Sequence, residues 1–83
     1  MTDANSPEQP DRILDCIGLY CPMPVIRTND EIDELAVGET LEVLADDPAA
    51  EADLKAWAKR TGQTILEMGK TNEGTRFLIK KTK

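Results

Sequence analysis

Pro22 and Pro24 stand two apart in the run Cys21-Pro22-Met23-Pro24, and this pair constrains the fold more than any other feature of the chain. Proline inside a helix removes a backbone donor and clashes with the preceding turn. It is tolerated in the first turn, where N–H groups have no intrahelical partner anyway. A helix therefore starts at this motif. The preceding run Arg12-Ile13-Leu14-Asp15-Cys16-Ile17 is short, apolar and stopped by Gly18, which predicts a strand. After the prolines, Val25, Ile26, Thr28, Asn29, Ile32 and Leu35 keep helical spacing, with Asn29 as the polar flaw. The helix should run to about Leu35, with Gly38 marking the stop beyond it.

The rest of the chain repeats the alternation. Glu39 to Ala45 places Leu41, Val43 and Ala45 on one face of a second strand. Asp46-Asp47-Pro48 opens a second helix, with an Asp at the N-cap and Pro48 at the first helical position. Ala50, Leu54, Trp57, Ala58 and Thr61 share a face of that helix, and Gly62 gives a left-handed stop. Gln63 to Met68 and Thr75 to Lys81 read as two further strands joined by a hairpin loop over residues 70–74. The order is β-α-β-α-β-β. Its economical packing is an α/β two-layer sandwich: one mixed four-stranded sheet, two helices on one face, the other face open to solvent. Residues 1–11 are polar, carry Pro7 and Pro10, and read as a disordered lead-in to a single domain over 12–83.

Composition narrows the function classes. At 83 residues and 40% hydrophobic the chain can bury one modest core. No apolar run approaches the roughly 18–20 residues that cross a bilayer, and the start lacks the pattern of a signal peptide, so a cytoplasmic protein without membrane insertion is expected. A net charge of −6 argues against direct nucleic-acid binding. The charge is uneven: residues 1–58 hold fourteen acidic and three basic side chains, residues 59–83 two acidic and seven basic. That basic end is either a solvated strand and tail or a patch for an acidic partner.

Histidine is absent, and only Cys16 and Cys21 are cysteines. Catalytic triads, Cys-His dyads and His-based metal sites are thereby excluded, and two thiols cannot complete a four-ligand zinc or iron–sulfur site within one chain. No metal and no cofactor is expected. Cys21 falls at the predicted N-cap, with Pro22, Met23 and Pro24 following. A helix N-terminus stabilises a thiolate, but each proline removes a donor, so only the Met23 amide could bond the sulfur. Moderate activation in a rigid frame is expected; the alternative is a small buried hydrophobe. Cys16 shares a strand face with Leu14 and reads as a core residue, or else as a resolving thiol for Cys21. Asp46 and Asp47 read as capping residues rather than an acid/base pair, and Trp57 as core.

The stretch Leu14-Asp15-Cys16-Ile17-Gly18-Leu19-Tyr20-Cys21-Pro22-Met23-Pro24 resembles the opening signature of the TusA/SirA family of small sulfur-carrier proteins. Val37-Gly38-Glu39-Thr40-Leu41, Ala45-Asp46-Asp47-Pro48-Ala49 and the final strand Arg76 to Lys81 extend the resemblance over about residues 13–81. It implies a two-layer α/β sandwich in which Cys21 carries sulfur as a persulfide. The sulfur would come from a cysteine desulfurase, a rhodanese or another carrier and pass to a downstream acceptor protein. Uses in such families include thiolation of the tRNA wobble uridine, molybdenum-cofactor-linked metabolism, sulfur oxidation and uptake of sulfur compounds. Asp15, Gly18, Pro22, Pro24, Asp47 and Pro48 would then be structural parts of the motifs. Cys16 falls at a variable position. A thiol redox switch and a non-catalytic regulatory module are the competing classes. A transient carrier leans on charge for association, so Met23, Arg76, Lys80 and Lys81 are expected to form a docking surface near the thiol.

Overall fold

The structure is a computed structural model that describes residues 10–83. Its elements are β1 (Arg12–Cys16), α1 (Met23–Asp33), β2 (Thr40–Ala45), α2 (Ala50–Thr61), β3 (Thr64–Lys70) and β4 (Thr75–Lys80). The sheet order is β1-β2-β4-β3; β1 and β2 are parallel, and both contacts of β4 are antiparallel. The expected mixed four-stranded sheet is present. Of the expected lead-in, residues 1–9 lie outside the described residues, and Asp11 belongs to the fold. Its N–H donates to the Thr40 carbonyl at 3.0 Å, and its Oδ2 accepts from the Thr40 N–H at 2.8 Å. The side chain thus prolongs the β1–β2 ladder by one step.

One face of the sheet and the inner stripes of both helices make a single core. Leu14 and Cys16, then Leu41, Val43 and Ala45, then Phe77 and Ile79 meet Ile32 and Leu35 from the α1 side and Ala50, Leu54, Trp57 and Ala58 from α2. Burial of each large apolar side chain contributes about 1.5–3 kcal/mol. Asn29, the flaw in the α1 stripe, has a reason to be there: its Oδ1 accepts a hydrogen bond of 3.0 Å from Trp57 Nε1, so the two helices are joined by the donor that a buried indole must satisfy.

The opposite face is open but not unoccupied. Leu78 points there and is only 1% exposed. Arg76, two residues back along the same face, donates to Glu42 at 2.8 Å and to Glu67 at 3.2 Å, linking the strands on either side. On β3 the register shifts between Ile65 and Glu67. This bulge lets Ile65 and Met68, three apart, both pack on the core while Leu66 stays 48% exposed. Strict alternation could not have placed that pair.

Helix ends follow the sequence only in part. Gly62 closes α2 at φ 82°, as its position predicts. The N-cap of α2, however, is Ala49 rather than Asp47, and α2 begins at Ala50, two residues beyond Pro48. In the β3–β4 turn, Gly74 adopts φ +156°, and a Cβ there would meet the Ala45 carbonyl oxygen and come within 2.9 Å of Asp46 Cα. Those are backbone atoms and cannot give way. Gly74→Ala should therefore cost at least about 2 kcal/mol in urea unfolding, from strain and overpacking together. A cost below about 0.5 kcal/mol would mean that the turn relaxes freely.

Candidate functional site

The thiol sits at the end of the sheet where β1 and β2 both finish. Four hydrogen bonds shape the connection from β1 to α1. Asp15 Oδ1 accepts from the Ile17 N–H at 2.9 Å, and the Cys16 carbonyl accepts from the Leu19 N–H at 3.1 Å. Gly18, at φ 86°, donates its N–H to Asp46 Oδ1 at 3.0 Å. The Cys21 N–H donates to Asp47 Oδ2 at 2.7 Å. Asp46 and Asp47 therefore do more than start a helix: they tie the loop after β2 to the loop after β1. Asp47 Oδ1 also accepts from the Ala49 N–H at 3.1 Å, so one carboxylate fixes both the cysteine backbone and the turn containing Pro48.

Two expectations about Cys21 are corrected. The N-cap of α1 is Pro22, not Cys21, and the Cys21–Pro22 peptide is cis. The Met23 amide donates to the Tyr20 carbonyl at 2.8 Å, while Pro24 is buried and has no donor. The Met23 amide, the one donor expected to bond the sulfur, is therefore already taken. The thiol is instead pushed up from its ordinary value, first by donating its hydrogen to the Asp53 carboxylate, then by desolvation and by the negative charges of Asp53 and Asp47. These surroundings favour the protonated thiol over the thiolate, the opposite of the activation expected.

Cys21 is exposed and Cys16 is 0% exposed, and both are free. Burial is also the main influence that raises the Cys16 thiol. Cys16 therefore lies in the core, and the resolving-thiol arrangement finds no support.

A hollow of about 260 Å³ opens beside the thiol, lined by Cys21, Pro22, Val25, Asp53, Ala56 and Arg60. Val25 and Arg60 also line a neighbouring hollow of about 320 Å³ that reaches Asn29 and Trp57. Together they form a groove between α1 and α2. Asp53 and Arg60 were missed in the sequence. The signal was present: Asp53, Ala56 and Arg60 fall at i, i+3 and i+7, one step around α2 from its buried stripe.

The expected docking surface does not assemble. Thr40 pairs with Lys80, whereas Ala45, at the thiol end, pairs with Thr75. Lys80 and Lys81 thus lie at the far end of the sheet, roughly 16 Å along the strand. Lys81 Nζ donates to the Leu35 carbonyl at 2.7 Å, capping the end of α1. Arg76 is near the thiol end but on the open face, held by Glu42 and Glu67. Of that set only Met23, 38% exposed on the first turn of α1, stands by the thiol.

The profile of the family described as "Sulfurtransferase TusA" matches residues 12–81. The chain belongs to the TusA family. A relative from Archaeoglobus fulgidus, provisionally named a sulfur carrier protein, is 50% identical over 68 residues, covering 81% of this chain and 88% of its own. Sulfur carrier protein TusA of Allochromatium vinosum is 38% identical over 72 residues, covering 87% and 95%. The crystal structure of a SirA-like protein from Desulfitobacterium hafniense superposes with a TM-score of 0.71 at 27% identity, covering 83% of this chain and 93% of that one. These TusA relatives support a sulfur-carrier role. Among the described residues, no helix is long and apolar enough to cross a membrane, and no group of three or more Cys, Asp or Glu side chains could hold a metal ion.

Proposed function

We propose that the chain relays sulfur as a persulfide on Cys21. The observation that carries this reading is the contrast between the two thiols: Cys21 is exposed at the mouth of a hollow, and Cys16 is sealed in the core. Cys21 sulfur attacks the outer sulfur of a donor persulfide, the donor S–S bond breaks, and the donor thiol leaves. The same exchange in reverse sense, with an acceptor's thiolate attacking, delivers the sulfur. Neither half needs a metal or an imidazole, which suits a chain without histidine.

The donor in this reading is a cysteine desulfurase, a rhodanese or another carrier, and the receiver is a downstream sulfur-acceptor protein. The acidic chain touches no nucleic acid itself, even where the final product is a thiolated tRNA. It works in the cytoplasm, where Cys21 stays reduced between transfers. Incubation with a cysteine desulfurase and cysteine, followed by intact and peptide mass spectrometry, should show one added sulfur on Cys21. Cys16→Ala should load equally well. Loss of two hydrogens without sulfur gain would instead favour a redox pair, and no change at all would favour a regulatory module.

A further inference from the structure

The thiol has an acidic neighbour whose place in the relay is open. Asp53, on the first turn of α2, is partly buried and shares the 260 Å³ hollow with Cys21 and Arg60. Asp47, the other carboxylate beside the cysteine, is already committed to the Cys21 and Ala49 N–H groups. The charged groups that face the sulfur are therefore Asp53 and Arg60 from α2 and Asp47 from the loop before it.

We propose that Asp53 keeps sulfur loosely held on Cys21, accepting the hydrogen of the empty thiol and repelling the terminal sulfur anion of the loaded one. The inference rests on the carrier reading above. Loading is Cys21–SH + R–S–S⁻ → Cys21–S–S⁻ + R–SH. The donor's S–S bond breaks as the new one forms, the Cys21 proton finishes on the departing donor sulfur, and nothing is oxidised or reduced overall. A persulfide is a stronger acid than its parent thiol and is anionic at neutral pH. The left-hand state therefore offers Asp53 a hydrogen, and the right-hand state offers it a second negative charge. Both effects favour the empty carrier, so the residue tilts Cys21 toward release. An intermediate carrier benefits from this, since a sulfur bound too tightly would never be passed on.

The test compares wild type, Asp53→Asn and Asp53→Glu in two assays. The first is the pH profile of iodoacetamide alkylation of the empty protein, read at Cys21 by peptide mass spectrometry, and it requires no sulfur. Asp53→Asn should move the profile to lower pH. Below the midpoint, each unit of movement raises the thiolate fraction about tenfold, and falling nucleophilicity returns about half of that logarithm, so the rate at fixed pH rises about threefold per unit. The second assay is the loaded-to-empty ratio at a fixed mixture of glutathione persulfide and glutathione. Asp53→Asn should hold several-fold more sulfur, and Asp53→Glu should stay near wild type in both assays. A merely structural role for Asp53 would move neither readout in this pattern. Superimposable profiles and equal ratios, with sulfur still loading, overturn the inference alone. No sulfur on Cys21 in any variant overturns the carrier reading and the inference with it.

Discussion

Cys21→Ser should take up no sulfur from a desulfurase or from glutathione persulfide, while unfolding in urea within about 0.5 kcal/mol of wild type. The two halves of this expectation have separate causes. The serine hydroxyl cannot form a persulfide. The fold is indifferent because Cys21 is exposed, and its loop is held through the backbone N–H to Asp47 rather than through the sulfur. Serine can still donate to Asp53. A Cys21→Ser protein that gains one sulfur would move the chemistry to Cys16, the only other thiol, and would require the core to open.

Trp57→Ala should have the largest effect on stability. The indole is 1% exposed in the core beneath α2, with Nε1 bonded to Asn29 of α1. Truncating such a residue costs about 3–5 kcal/mol, whereas a domain of this length is stable by only about 4–12 kcal/mol. The melting temperature should fall by about 15 °C or more, and the transition could lose its cooperativity. Trp57→Phe keeps most of the packing and loses the bond to Asn29, so it should cost about 1–2 kcal/mol. Circular dichroism against temperature and urea distinguishes the two. Equal and small losses for both variants would mean that α2 is not anchored through this side chain.

The order of elements was legible because proline, glycine and apolar spacing each speak locally. Pro22 and Pro24 start α1, Gly62 ends α2, and Leu41, Val43 and Ala45 alternate inward as their spacing says. What the sequence could not disclose depends on partners far along the chain. Asp46 and Asp47 look like helix-starting residues, and locally that is what they resemble, but their carboxylates reach the Gly18 and Cys21 N–H groups across 28 and 26 residues. The same holds for the thiol. The helix start suggested activation, while the folded chain brings Asp53 into the same hollow as the sulfur and takes the Met23 amide for Tyr20. The basic C-terminal residues were a cluster only in sequence, since a strand carries Arg76 and Lys80 to different ends of the sheet.

The position of Trp57 has one more consequence. It is the chain's single tryptophan, and it lines the part of the groove that adjoins the cysteine hollow through Val25 and Arg60. Its indole N–H reaches Asn29, a side chain on the rim of that groove. The ring itself is 1% exposed, so a segment of another protein laid between α1 and α2 would act on it through Asn29 and the bond that Asn29 accepts. A complex formed along this groove should therefore shift the emission of a single indole, with no dye attached and both cysteines left untouched.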